Sequence, residues 1–396
     1  MDNQHEISPA ALHMENQSTG EVLMSTESSS KNETAAYKRW VFGTMLLTIL
    51  AFVLTASITV YIDPFFHYHA PLKGYDYPQD EYPTNNERYL NDGITRHFTY
   101  DSIITGTSMT ENFKVSEANR LFGAHFIKVP FAGSKYREVS DNLRRAYHAG
   151  KEVRYIIWGL DYNILISGKN AYDETFAYPG YLYNDNPFDD VSYILNKSVL
   201  FGKTLQVTRS KTGDGSSINF DTYSNWNTYH GDEFGAWHVL ATYRLRSTPK
   251  PAAPLTKEDA DIMLDNLRQN VTSLADEHPE TTFYLFFPPY SICYYDILNN
   301  NGEMERHLEA ERLAIEELLA HPNIKLYSFS DDFELVCNLD HYKDYLHYGE
   351  WINDRLLEQM KNDEHLLTKE NVQTYLDSVR SFYTSYDYAS LHNKDR

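Results

Sequence analysis

The sequence predicts an α/β fold: a three-layer sandwich of about five parallel strands, preceded by one transmembrane helix. Two observations lead to this prediction. Short apolar runs alternate with amphipathic segments of ten or more residues, which is the pattern of parallel strands joined by crossover helices. Near the N-terminus, an apolar run without charge extends from Trp40 to Ile62, and about twenty such residues suffice to cross a bilayer as a helix.

The predicted strands are continuous apolar runs, as expected for strands buried on both faces. They lie around Ile103 and Ile104 and at residues 126–129, 153–158, 282–287 and 324–329. Helical spacing of apolar residues predicts helices at 136–148, 257–277, 303–320 and 349–361. Thr256 is placed to cap the second of these helices, with Asp259 three residues later.

Composition divides the chain into five segments. These are a disordered cytoplasmic tail (1–36), the membrane anchor (37–62), an irregular connector rich in Pro, Tyr and Asn (63–97), an extracytoplasmic α/β domain (98–365) with an insertion at 164–250, and a C-terminal helical tail (366–396). Lys38 and Arg39 precede the apolar run and Asp63 follows it, so the positive-inside rule predicts a single-pass cell-membrane protein with a cytoplasmic N-terminus and an extracytoplasmic main domain.

Net charge and cysteine content exclude several functions. The formal charge of −21 excludes a nucleic-acid binder, since such a protein must neutralise phosphates with Lys and Arg. The two cysteines, Cys293 and Cys337, are too few for a disulfide framework and form either one bridge or two buried thiols. His67 and His69 have close spacing but no matching carboxylate or cysteine cluster, so we expect neither a metal nor a cofactor.

The stretch after the first predicted strand, Gly106-Thr107-Ser108, is the candidate nucleophile turn. A serine there stands at the carboxyl edge of the sheet, where open α/β folds place their ligand sites. The start of the following helical segment favours an anion beside it. Gly-x-Ser alone is more often an ordinary turn with a capping serine, so the prediction requires a base and an orienting acid.

Both partners occur together beyond the fifth strand, as Asp344-x-x-His347. This spacing lets one loop at the same sheet edge present an imidazole to Ser108 and a carboxylate to the imidazole, as acyl transfer through serine requires. A loop histidine paired with a carboxylate only for packing is the alternative. Asp340-His341 is a rival pair that lacks the three-residue spacing.

With these motifs the sequence resembles the SGNH (GDSL-like) hydrolase superfamily, of SGNH/flavodoxin-like fold, in its membrane-anchored bacterial branch similar to DltD and the alginate O-acetylation proteins. The resemblance covers about residues 95–365 and is carried by Gly106-Thr107-Ser108, Gly133, the strand ending at Gly159, and Asp344-x-x-His347. It implies that Ser108 is the nucleophile, His347 the base and Asp344 the orienting acid.

The resemblance also implies an oxyanion hole, and here the sequence departs from the family pattern. Backbone N–H groups of Ser108 and Gly133 would line the hole. The usual third motif, Gly-x-Asn-Asp, reads Gly159-Leu160-Asp161-Tyr162-Asn163, and an ionised Asp161 cannot donate to an oxyanion. Three alternatives follow: Asn163 or Asn112 substitutes, Asp161 is protonated, or hydrolysis is weak.

The resulting hypothesis is a serine esterase or O-acyltransferase that acts on acyl groups, most simply acetyl, of a cell-envelope or secreted polysaccharide. Tyr290 follows the fourth strand at the active edge and is a candidate to line the pocket. Trp226 and His230 in the insertion are candidate substrate contacts, against the alternative that aromatic residues in a Tyr-rich insertion need no function. Anchored relatives often act beside a membrane-bound O-acyltransferase, so transfer is as compatible as hydrolysis. The second hypothesis is a catalytically inactive binding or assembly protein with the same fold.

Overall fold

A computed structural model of the chain describes residues 9–77, 87–210, 218–227 and 233–392. The chain divides into two units, Met1–Tyr61 and Ile62–Arg396.

Helix α1 (Pro9–Ile62) dominates the first unit. Its stretch Lys31–Ile62 is long and apolar enough to cross a membrane and, being near the N-terminus, is a candidate membrane anchor or signal sequence. Disorder is predicted for residues 1–36, but residues 9–36 belong to α1; residues 1–8 lie outside the described residues. A segment poor in large apolar residues cannot build a packed core, but that deficit does not prevent a helix of Ala, Leu, Met, Glu and Lys.

The second unit is built on one six-stranded sheet with the order β2-β1-β3-β4-β5-β6. The strands are β1 (Ser102–Thr105), β2 (Phe126–Lys128), β3 (Tyr155–Gly159), β4 (Thr282–Phe287), β5 (Ile324–Ser328) and β6 (Leu366–Leu367). The first five are parallel, as predicted, and β6 pairs antiparallel with β5. The sequence prediction missed β6 because two residues are too short to show a strand pattern.

The helices cover both faces of the sheet. Those of eight or more residues in this unit are α2 (Glu87–His97), α3 (Val115–Phe122), α4 (Tyr136–His148), α5 (Lys257–Leu267), α6 (Ile292–Asn300), α7 (Met304–Leu318), α8 (Glu350–Lys361) and α9 (Val372–Ser385). On β3, Tyr155 contacts Phe122 of α3, whereas Trp158 contacts Tyr136 of α4. Because side chains alternate along a strand, α3 and α4 lie on opposite faces, which makes three layers.

Two predicted segment assignments need correction. The connector at 63–97 is not irregular throughout, since it ends in α2, whose Glu87, Arg88 and Asn91 are buried. Residues 366–396 are not a separate tail, because they supply β6 and α9, and Tyr375 and Tyr383 of α9 are buried in the core. In both cases the polar or tyrosine-rich composition is typical of a surface segment, and the prediction therefore did not recognise that the domain buries these residues.

The four predicted helices are present as α4, α5, α7 and α8. Thr256 Oγ1 accepts a hydrogen bond from Asp259 N at 3.1 Å and so caps α5. After Leu267 the helical path continues through a π-helical turn, Arg268–Thr272, and a last turn, Ser273–Glu277. The insertion contains short helices at Val191–Ile194, Leu205–Arg209 and Ala236–Thr242. Cys293 and Cys337 are both thiols and are not joined by a disulfide.

The order of the strands fixes where a ligand site can form. The chain passes from β1 to β2 on one side and then returns to β3 on the other side of β1. The loops after β1 and β3 therefore diverge and leave a crevice at the carboxyl edge of the sheet.

Candidate functional site

Ser108 stands directly at this crevice because the chain turns sharply at Gly106. Gly106 has φ +142°, and a Cβ built on it would lie 2.8 Å from Thr110 Cγ2 and 3.2 Å from Gly159 N. Only glycine fits such a position without strain. The turn leads into a short 3-10 helix, Ser108–Thr110, which begins with the serine.

The structure brings Ser108, His347 and Asp344 into one hydrogen-bonded line. Ser108 Oγ lies 2.9 Å from His347 Nε2, and His347 Nδ1 lies 2.8 Å from Asp344 Oδ2. The residues come from the end of β1 and from the loop before α8, 239 positions apart in the chain. This arrangement can accept the serine proton on the imidazole while the carboxylate fixes the ring.

Asp344 is held as an anion. Its Oδ1 accepts the backbone N–H groups of Leu346 and His347, both at 2.8 Å. Burial alone would raise its pKa, but the hydrogen bond to His347, the imidazole charge and the two N–H donors outweigh it and lower the pKa to about 2. The carboxylate is therefore ionised at every pH at which the imidazole can act as a base.

A cavity of about 180 Å³ opens beside Ser108 and His347. Gly133 and Asn163 line it, as do Asp161 and Tyr290. Among the described residues, the backbone N–H groups of Ser108 and Gly133 donate no hydrogen bond, which leaves both donors for a ligand in the cavity. Asn112 is buried away from this lining, and its Oδ1 accepts from Asn227 N at 3.4 Å.

Asp161 has both carboxylate oxygens engaged as acceptors. Thr107 Oγ1 donates to Oδ2 at 2.5 Å, and the Tyr290 hydroxyl donates to Oδ1. Burial raises the pKa of Asp161, while these two hydroxyl bonds and the charge of His347 act against the rise. The side chain ties the ends of β1, β3 and β4 together, and it offers no donor corresponding to the asparagine of the usual third motif.

Two of the predicted substrate residues are buried in the site. Tyr290 lines the cavity but is fully buried through its bond to Asp161. Trp226 is only 3% exposed; its Nε1 donates to Ser108 O at 3.3 Å, and its ring meets the His347 ring edge-on at 5.8 Å. Trp226 therefore supports the nucleophile and the imidazole from behind. The third residue, His230, lies outside the described residues.

An aromatic row extends from the imidazole towards solvent. Phe234 stacks beside Trp226 at 6.4 Å between ring centroids, and Trp351 packs against Phe234 at 4.9 Å. Trp351 is 43% exposed, whereas Trp226 is buried, so the row leads from the interior to the surface. The Nζ of Lys343 lies 3.8 Å above the Trp226 ring and adds a cation to the wall.

Sequence reasoning missed the role of α2, which holds the loop that carries Gly133. Asn91 Nδ2 donates to Pro130 O at 2.6 Å, Arg88 Nη2 to Ala132 O at 2.9 Å, and Ala132 N donates to Glu87 Oε2 at 2.8 Å. All three side chains are buried. We call Glu87, Arg88 and Asn91 the loop clamp. No sequence pattern marks these three residues, because their burial and their partners appear only in the fold.

The rival pair does not meet Ser108. Asp340 Oδ1 accepts from Ala236 N at 3.3 Å, and the His341 ring contacts Asn338 and Trp351. His67 Nε2 lies 3.2 Å from Asp190 Oδ1 and so belongs to a structural cluster after α1. Over the described ranges, no group of three or more His, Cys, Asp and Glu side chains could hold a metal ion.

Comparison with known proteins adds little. No protein-family model and no curated protein match the chain. One solved structure, whose description names a platelet activating factor from Streptococcus pneumonia, is similar over 71% of this chain and 91% of that one, at 12% identity and a TM-score of 0.35. A likeness this low carries no argument about fold or function.

Proposed function

We propose that the protein is a serine esterase or O-acyltransferase acting on short acyl groups, most simply acetyl, of a cell-envelope or secreted polysaccharide. The observation that carries the proposal is the hydrogen-bonded line from Asp344 through His347 to Ser108. The line ends at a cavity beside which the backbone N–H groups of Ser108 and Gly133 donate no hydrogen bond to other described residues. Packing of this loop does not require these three polar side chains, because hydrophobic residues would pack there at least as well.

The geometry supports a two-step acyl transfer. Ser108 Oγ attacks the ester carbonyl carbon while its proton passes to His347 Nε2, and Asp344 stabilises the resulting imidazolium. The N–H groups of Ser108 and Gly133 would bind the oxyanion, where one lost donor typically costs about 2.7–4 kcal/mol. His347 then protonates the leaving alkoxide, and an acyl ester remains on Ser108.

The second step decides between hydrolysis and transfer. His347 would deprotonate either water or a sugar hydroxyl, which attacks the acyl ester and releases Ser108. Both acceptors use the same residues, so the site is compatible with either reaction. A membrane-bound O-acyltransferase is the partner that a transfer role would require to supply acyl groups.

The substrate class is inferred from the size of the cavity and its surroundings. About 180 Å³ suits a group of a few atoms and not a long acyl chain. Phe234 and the exposed Trp351 continue outward from the buried Trp226 and offer aromatic faces on which the apolar faces of sugar rings can stack. The apolar helix would keep the enzyme at the cell membrane, with the site on the extracytoplasmic side.

One observation favours the second candidate, an inactive binding or assembly protein. Asp161 has both oxygens engaged and donates nothing to an oxyanion, so the donors left are the two backbone N–H groups and the amide of Asn163 in the cavity lining. This candidate predicts polysaccharide binding that does not depend on Ser108.

The test is acetyl release from an activated ester and from an O-acetylated polysaccharide, with and without an unacetylated acceptor. The full chain in detergent is compared with Ser108→Ala and with the control Ser102→Ala, a serine at the other end of β1 bonded to Asp101. We expect turnover in wild type and Ser102→Ala and none in Ser108→Ala. An inert wild type that still binds the polysaccharide would favour the binding protein.

A further inference from the structure

Most of the exposed large apolar side chains that the structure describes outside α1 lie in one short part of the insertion. Beyond α1, the described residues expose eight large apolar side chains, and five of them fall within residues 188–205, which we call the apolar segment. They are Phe188 (88% exposed), Phe201 (67%), Val191 (52%), Leu195 and Leu205 (both 37%). Several exposed apolar side chains within one short segment of a folded domain mark a candidate contact site.

The apolar segment is fastened to the residues that directly follow α1. The Tyr193 hydroxyl donates to Asp63 Oδ1 at 2.7 Å and accepts from Phe65 N at 3.2 Å. Asp190 binds both His67 Nε2 at 3.2 Å and the Tyr68 hydroxyl at 3.0 Å. Tyr193 is fully buried in these contacts, so the attachment is part of the packed domain.

The attachment to the end of α1 indicates that the lipid bilayer is what contacts the apolar segment. Asp63 is the first residue after the candidate membrane helix, so its position is at the edge of any bilayer that the helix crosses. The apolar segment is bonded to Asp63, Phe65 and His67, so it is attached to the residues that directly follow this end of the helix. The carboxylate of Asp190 is buried, while Phe188 and Val191 on either side of it are exposed.

The cavity beside the apolar segment is lined by both apolar and charged side chains. This open cavity of about 630 Å³ is lined by Phe65, Phe176 and residues of the stretch 196–206, among them the apolar Val199 and the cationic Lys203. Apolar side chains beside a lysine are what an interfacial element presents to acyl chains and lipid phosphates. A surface for a protein partner could lie anywhere on the domain, so its position next to the end of the helix favours the bilayer.

We propose that the apolar segment is a second membrane contact, inserted into the surface of the bilayer that α1 crosses. It would hold the domain in one orientation on the membrane and place its site at a constant height above the lipid. This inference rests on α1 being a membrane anchor and is independent of the chemistry at Ser108.

The test places a fluorescent probe on the full chain in lipid nanodiscs. In a Cys293→Ala, Cys337→Ala background, the environment-sensitive dye NBD is attached after Phe188→Cys, Phe201→Cys, Leu54→Cys or Ile262→Cys. Leu54 lies within the candidate span. Ile262 is an exposed apolar side chain on α5, a helix that bonds to Ile164 and Leu165 and, among the described residues, makes no hydrogen bond to residues 63–68. Nitroxide-labelled lipids report contact with the bilayer.

We expect blue-shifted emission and quenching by nitroxide lipid at positions 54, 188 and 201, and an aqueous spectrum at 262. Quenching at 54 with aqueous spectra at 188 and 201 would overturn the proposal and leave the anchor standing. An aqueous probe at 54 would overturn both. A blue shift at 188 and 201 that depends on protein concentration and not on nitroxide lipid would assign the surface to a second copy and also overturn the proposal.

Discussion

The loop clamp yields a prediction that separates positioning from stability. Asn91 is fully buried; its Nδ2 donates to Pro130 O at 2.6 Å, and its Oδ1 accepts from the Tyr223 hydroxyl at 2.8 Å. Asn91→Leu keeps most of the volume and leaves both partners buried without a bond. Each such loss costs about 1–3 kcal/mol, so we expect a destabilisation of about 2–6 kcal/mol.

The catalytic effect follows from where Pro130 lies. It begins the loop that presents Gly133, and a displaced Gly133 N–H costs up to the worth of one oxyanion donor, about 2.7–4 kcal/mol or a factor of 10²–10³ in kcat. KM should change little, because the donor acts in the transition state and not on the bound ester.

The matched control is Asn142→Leu, with ester kinetics and urea unfolding measured on both variants in detergent. Asn142 is also buried against α2, where its Nδ2 donates to Thr95 Oγ1 at 2.9 Å, but it makes no bond to the loop at 130–134. We expect Asn142→Leu to lose stability and to keep kcat. Equal kcat values in the two variants would refute the assignment of the clamp.

Two further predictions concern the acid and the turn. Asp344→Asn should lower kcat by about 10³–10⁴, since the amide cannot hold the imidazole in the required tautomer. Because the pKa of Asp344 is lowered to about 2, its stabilisation is full above pH 4 and is lost as the pH falls towards 2; at about 1–2 kcal/mol, wild type and variant should differ in urea unfolding at pH 7 and converge near pH 2. Gly106→Ala should cost about 1–3 kcal/mol through strain at φ +142° and abolish ester turnover, whereas Gly123→Ala, at φ +60° with open space around it, should lose only stability. Turnover in Gly106→Ala at the rate of Gly123→Ala would contradict the role of the turn.

The sequence predicted what depends on local pattern. Apolar runs gave β1 to β5, and the three-residue spacing of Asp344 and His347 identified the pair that meets Ser108. These features could be found because strand burial and loop spacing are properties of neighbouring residues.

What could not be predicted depends on contacts between distant residues. The partners of Asp161 are Thr107 and Tyr290, which follow two other strands, and only the order of the sheet brings the three together. Asn91 and Arg88 lie in a stretch whose Pro and Asn content suggested a loop. Their side chains donate to carbonyl groups of a loop about forty residues later, which the sequence does not indicate. Polar residues that are buried to serve another loop have no pattern of their own in the sequence.

The central claim is that Ser108 is an activated nucleophile, and its most direct test is covalent labelling. The full chain in detergent is treated with a fluorophosphonate, and the modified peptide is mapped by mass spectrometry for wild type, Ser108→Ala and Ser102→Ala. We predict one adduct per chain, on Ser108, in wild type and Ser102→Ala, and none in Ser108→Ala. A folded wild type that takes no label, or a label that persists in Ser108→Ala, would contradict the claim.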